Sequence, residues 1–173
     1  YNQWLANVLM ISYFVWMYRR APMRLKRIMK YGVVIATAGE VFFSLVVGMY
    51  EYRLENIPLY VPPGHSILYG AVYYFVREPW VQQHKNSVMG WVFGISVAYV
   101  LYWAGWGIDK DGVPTHDLYG ALCMIVFVLI LAREASSRLF FLTMFLVVAY
   151  LEQVGTRTGC WWWMNPAHLF VDF

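Results

Sequence analysis

The segment RRAPMRLKRIMK, residues 19–30, sets six basic side chains between two apolar stretches, and its reading decides the fold. Apolar stretches run roughly over 4–18, 31–50, 66–76, 88–106, 117–132 and 138–154. The gaps between them alternate in charge. The first, third and fifth gaps hold Arg19, Arg20, Arg24, Lys26, Arg27, Lys30, Arg77, Lys85, Arg133 and Arg138, opposed only by Glu78 and Glu134. The other gaps and the tail hold Arg53, Lys110 and Arg157 together with Glu51, Glu55, Asp109, Asp111 and Asp172. The positive-inside rule then puts the basic gaps in the cytoplasm and both termini outside. The expected protein is all-α: a single multi-pass membrane domain over residues 1–173, a bundle of about six transmembrane helices with irregular segments on the outer side.

Composition agrees with that reading. Of 173 residues, 61% are hydrophobic and only 13% charged, too apolar for a soluble domain of this size. Membrane lipids are the expected partners, alone or with other membrane subunits; nucleic acid is not, because the net charge of +3 is only the remainder of a steep asymmetry. The basic run is long enough to touch anionic headgroups, or serves purely as a topology signal. Its part Met23–Lys30 reads as an interfacial helix. Cys123 and Cys160 fall at different depths and are expected to be free. The chain opens on Tyr1 rather than Met, which leaves room for residues before it.

Two places resist a spanning helix. Leu54–Gly64 contains three prolines, so a regular helix is not expected there. Gly155–Phe173 carries Trp161, Trp162 and Trp163, read as an interfacial anchor or a substrate platform, and then Asn165-Pro166. The small residues Gly90, Gly94 and Ala98 predict a close helix neighbour. Asp109-Lys110-Asp111-Gly112 resembles a fragment of a calcium loop but lacks the rest of its ligand ladder. Glu40…Gly48-Met-Tyr-Glu-Tyr and Glu152…Gly159-Cys-Trp-Trp-Trp echo one another too loosely to make a duplication.

Depth gathers the candidate site. At about 1.5 Å per residue from the nearest basic residue, Glu40 lies roughly 15 Å deep, His65 18 Å, Glu152 21 Å, and Asp117 and His116 about 24–26 Å. Charged groups at such depth should face inward and find partners. Glu40, His65 and Glu152 are therefore the expected catalytic residues, with Tyr69, Tyr73, Glu51, His116 and Asp117 lining the substrate pocket. Each also has a plain structural role available: Glu40 as a packing hydrogen bond, His65 and His116-Asp117 as helix starts, Glu152 paired with Arg157, Glu51 and Glu55 as a solvated face. His84 and His168 are given no role.

Several chemistries fit. A carboxylic acid shielded from water keeps its proton and can deliver it to a lipid-borne substrate, with His65 or Glu152 as base. His65, His116, Glu40 and Glu152 are a donor set for zinc or non-haem iron, and His65 with His116 for haem; the cofactor stays open. A non-catalytic accessory subunit of a larger membrane complex, contacting lipid or pigment, fits the 20% aromatic content as well.

Two resemblances bear on this. Pro62-Pro63-Gly64-His65-Ser66 resembles the Pro-Ser-Gly-His core of the phosphatidic-acid phosphatase family over five residues. That family also requires a His after its Ser-Arg motif, and none follows Ser137-Arg138 at a matching distance. Glu40…Gly48-Met49-Tyr50-Glu51-Tyr52…Ile57-Pro58 is loosely similar to membrane-bound carotenoid hydratases, over one short stretch. That resemblance implies isoprenoid chemistry.

Overall fold

The computed structural model describes residues 3–108 and 114–164. The acidic loop tip with Asp109, Lys110 and Asp111, and the tail with Asn165, Pro166, His168 and Asp172, lie outside the described residues. The remainder is mostly helical: α1 (Gln3–Arg20), α2 (Met23–Glu40) running into a π-helical segment (Val41–Val46), α3 (Val61–Phe75), α4 (Pro79–Gln83), α5 (Lys85–Gly105), α6 (Leu118–Arg133) and α7 (Arg138–Arg157). Strand β1 (Tyr50–Tyr52) pairs antiparallel with β4 (Trp161–Trp163), and β2 (Gly107–Ile108) with β3 (Pro114–Thr115).

Three helical stretches are long and apolar enough to cross a membrane: Met23–Val46, Lys85–Gly105 and Arg138–Arg157. That is fewer than the six expected. Helix α1 spends its length on Gln3, Asn7, Arg19 and Arg20 besides its interfacial Trp and Tyr residues. Helices α3 and α6 have 15 and 16 residues, short of the roughly 20 that a hydrocarbon core asks for.

The separate interfacial helix expected at Met23–Lys30 is corrected, because it continues unbroken into the apolar helix that follows. Pro22 stands just before the first helical residue, where it does no harm, and nothing from Met23 to Tyr31 breaks a helix. Leu25, Met29 and Gly32, spaced four and three apart, form one buried face across the expected boundary. The prolines of Leu54–Gly64 are also only half disruptive. The chain is irregular up to Tyr60, and Pro62 and Pro63 then occupy the first turn of α3, whose N–H groups have no intrahelical acceptor.

The described chain groups into two compact units, one drawing on Tyr1–Tyr73 and Ala149–Phe173, the other on Tyr74–Val148. In the first, α2 and α3 meet at Gly32, where an added Cβ would lie 2.7 Å from the Tyr69 ring and 2.8 Å from Ser66 Oγ. That close approach lets the buried Ser66 hydroxyl donate to the Met29 carbonyl at 2.7 Å. Helix α3 packs on α1 through Gly70 against the Met17 sulfur. Asn7 Oδ1 accepts from the Tyr60 N–H at 3.0 Å, pinning the loop that leads into α3.

In the second unit, α5 and α6 are joined by the β2–β3 hairpin, and the Asp117 N–H donates to the Trp103 carbonyl at 3.1 Å. Phe145 of α7 stacks on Phe127 and meets Tyr99 edge-on. Arg138 donates to the Leu131 and Ala132 carbonyls at 2.5 and 2.8 Å, capping the C-terminal end of α6. The predicted small-residue contact of α5 is not made among the described residues: a Cβ at Gly90 or Gly94 would meet nothing within 4 Å.

Glycine therefore has opposite meanings in the two units. Gly32→Val should destabilise the protein by about 1–3 kcal/mol through overpacking, and Gly94→Val should leave the melting temperature in detergent unchanged. Equal melting of the two variants would show that the α2–α3 approach is not needed.

Candidate functional site

Glu40 is the last residue of α2, and only 7% of it is exposed. The π-helical segment after it is closed by wide backbone bonds, Val47 N–H to Phe42 O and Met49 N–H to Phe43 O. Such a segment is uncommon in helices and often marks functional positions. Gly48, at φ +68°, takes the left-handed conformation that ends the helix and turns the chain into β1. Strand alternation then sends Tyr50 and Tyr52 to the same side. Both hydroxyls donate to one atom, Glu40 Oε2, at 2.7 and 2.8 Å.

The other half of the ribbon is built the same way. Glu152 lies near the end of α7; Gly159, at φ +65°, turns the chain; and Trp161 in β4 reaches back so that its indole N–H donates to Glu152 Oε2 at 3.1 Å. Gly155 makes this possible, because a Cβ there would lie 1.9 Å from the Trp161 ring. The faint sequence echo thus corresponds to one local design used twice: a helical Glu, a left-handed glycine, and an aromatic strand residue that returns to the Glu. The register couples the halves, with Tyr50 opposite Trp163 and Tyr52 opposite Trp161, their rings edge-on at 5.5 and 6.0 Å. The irregular segment expected from Gly155 onward is corrected accordingly: α7 runs to Arg157, and the three tryptophans form a strand.

Of the expected catalytic residues, Glu40, His65 and Glu152 share this unit. His65 is half-buried in the first turns of α3, its Nδ1 3.0 Å from the Val61 carbonyl. The carbonyl can only accept, so Nδ1 carries the hydrogen of this bond and Nε2 is not engaged by it. Tyr69 is half-buried against Gly32, and Tyr73 is buried. Glu51 is exposed and opposes Trp162, on the face of the ribbon away from Tyr50 and Tyr52, so it does not join Glu40. His116 and Asp117 belong to the other unit and are exposed. Asp117 caps α6 by accepting the Gly120 N–H at 2.7 Å, and His116 Nδ1 lies 3.3 Å from the Ala104 carbonyl.

Among the described residues, no three His, Cys, Asp or Glu side chains stand close enough to share a metal ion. The donor set His65, His116, Glu40 and Glu152 is therefore not gathered at one point. The two candidate haem ligands belong to different units. Both cysteines are free. Tyr50, Tyr52, Trp161 and Gly155 are the members of the site that depth counting missed, since none of them is ionisable at neutral pH. Their signals were the Tyr-x-Tyr alternation and the echo.

Comparison with protein-family models, with curated proteins and with solved structures found no match to this chain.

Burial, with the Glu40 carboxyl beside it, holds the Tyr52 phenol well above the ordinary tyrosine range. A raised pKa stabilises the fold at every pH below the unfolded value of about 10, and that contribution is lost as pH rises through the folded value. Tyr52→Phe should cost about 1 kcal/mol at neutral pH. Near pH ~10 the parent should show no more phenolate absorbance than the variant, because Tyr52 still holds its proton there. Gly155→Val should displace Trp161 and cost about 1–3 kcal/mol. A Gly155→Val protein as stable as the parent would refute the packing of Trp161 over α7.

Proposed function

We propose that this chain is a membrane-embedded enzyme that carries out acid–base chemistry on a lipid or isoprenoid entering from the leaflet opposite the basic loops. One observation carries the reading: a buried carboxyl, Glu40, is held through a single oxygen by two phenols, in the compact unit that also contains Glu152 and His65. Both phenols take Oε2, which leaves Oε1 open as the oxygen through which Glu40 would exchange a proton with substrate. The aromatic rings of the ribbon offer π faces to a developing cation. The loose similarity to carotenoid hydratases points the same way.

For addition of water to an isoprenoid alkene, Glu40 Oε1–H protonates the less substituted carbon. The alkene π pair forms the new C–H bond and leaves a tertiary cation. A water oxygen attacks that cation, and its surplus proton passes to Glu152 or His65. The base returns this proton through solvent to Glu40, so one water is consumed overall. Loss of a neighbouring C–H proton from the same cation gives double-bond isomerisation instead. In this reading α1, α3 and α6 complete six crossings as short helices, with local thinning of the bilayer making up the mismatch. The basic segments Arg19–Lys30, Arg77–Lys85 and Arg133–Arg138 then face the cytoplasm, and His65, the Asp109–Asp117 loop and the C-terminal tail face outward.

The second reading, an accessory subunit without catalysis, draws on the unfilled face at Gly90 and Gly94. It predicts stoichiometric co-purification with larger membrane partners and poor stability alone.

The enzyme reading is tested with purified protein in nanodiscs given acyclic isoprenoid alkenes in deuterium oxide, with mass spectrometry counting deuterium bound to carbon. Incorporation should fall about 10²–10⁴-fold in Glu40→Gln, the usual contribution of a general acid, and His65→Ala should also lose turnover. Both variants should still accumulate in membranes. Full incorporation by both would remove the proposal.

A further inference from the structure

The turn between α1 and α2 carries a second feature, remote in sequence from Glu40. A shallow groove of about 500 Å³ on α1 is lined by Ile11, Ser12, Val15, Trp16, Arg19 and Arg20. Its apolar members lead along one helix face to the two arginines, so the groove has an apolar shaft and a doubly charged mouth. The Arg20 guanidinium lies 4.6 Å from the centre of the Trp16 ring, and Tyr13 stacks on Trp16 at 5.3 Å. One arginine at the mouth is thus held in place by aromatic packing. Arg19, Arg24, Arg27 and Lys30 are exposed nearby along the chain, and no acidic residue precedes Glu40 to neutralise any of them. Residues 1–39 therefore supply no counter-charge of their own. A ligand that matched this groove would be anionic at one end and apolar at the other.

We propose that this groove binds one anionic phospholipid from the leaflet on the basic side, its phosphate between Arg19 and Arg20 and an acyl chain along Ile11, Val15 and Trp16. Guanidinium groups pair with phosphate through paired N–H···O bonds. Each basic residue near an anionic surface contributes about fivefold in affinity. A free phosphate ion shares the headgroup chemistry and gains nothing from the apolar shaft.

The test uses native mass spectrometry of the full chain in mild detergent, with phosphatidylglycerol or phosphatidylcholine of equal chain length added. Phosphatidylglycerol should be retained in preference to phosphatidylcholine. Arg19→Gln with Arg20→Gln should weaken retention about tenfold or more. Arg24→Gln with Arg27→Gln removes the same charge outside the groove and should weaken it distinctly less. Inorganic phosphate at millimolar concentration should fail to displace the lipid from the parent protein. Equal losses in the two double variants would reduce the effect to diffuse charge and overturn the site. Displacement by inorganic phosphate, or equal retention of the two lipids, would overturn it as well. The phosphate and lipid-preference arms need no variant, so they decide the matter even if Arg19→Gln/Arg20→Gln fails to fold.

Discussion

A carboxyl group removed from water must be answered by donors, and here that need shapes the end of α2. Glu40 is buried, and the two phenols of β1 answer it through one shared oxygen. The donors are twelve residues away at most, yet they can reach back only because the helix widens into a π-helical segment and then reverses at Gly48. An unpaired buried polar group costs about 1–3 kcal/mol. The conformation of Val41–Tyr52 is thereby tied to a single carboxyl.

The second half of the ribbon repeats this arrangement with different residues. Glu152 is answered by an indole rather than by phenols, and Gly155 opens the space in which that indole lies. The ribbon between the halves is only three residues long on each side, too short to be stable as an isolated hairpin. Its stability comes from its ends: each strand is anchored to the helix that precedes it, and the cross-strand aromatic pairs tie the anchors together.

Much of the helical architecture was legible in the chain. The break at Ala21-Pro22, the starts of α6 and α7 and the apolar stretches follow from hydropathy and proline placement. Which helices are long and apolar enough to cross did not follow, because apolar runs report neither helix continuity nor helix length. Met23–Val46 joins a basic segment to an apolar one in a single helix, and α1 contains too many polar and interfacial residues to cross on hydropathy alone. For the site, depth counting could find Glu40, His65 and Glu152 because ionisable side chains stand out against an apolar background. It could not tell that Glu51 would be turned away, which depends on the phase of a strand that only pairing with Trp161–Trp163 creates. Nor could it reach Tyr50, Tyr52 and Trp161, whose importance arises from hydrogen bonds to those acids. Asp117, placed with them by depth, is engaged as a helix cap.

The π-helical segment has a consequence for how this chain can vary. It accommodates more residues per turn than the α path around it, so it behaves as a built-in insertion between Glu40 and the glycine that reverses the chain. Removing one residue from Val41–Val46 would restore ordinary helix geometry and rotate everything downstream by about 100° relative to Glu40. Side-chain chemistry could remain wholly intact while the phenols swung out of range. None of the six side chains in this stretch is buried, so it is their number that keeps the phenols within reach of Glu40.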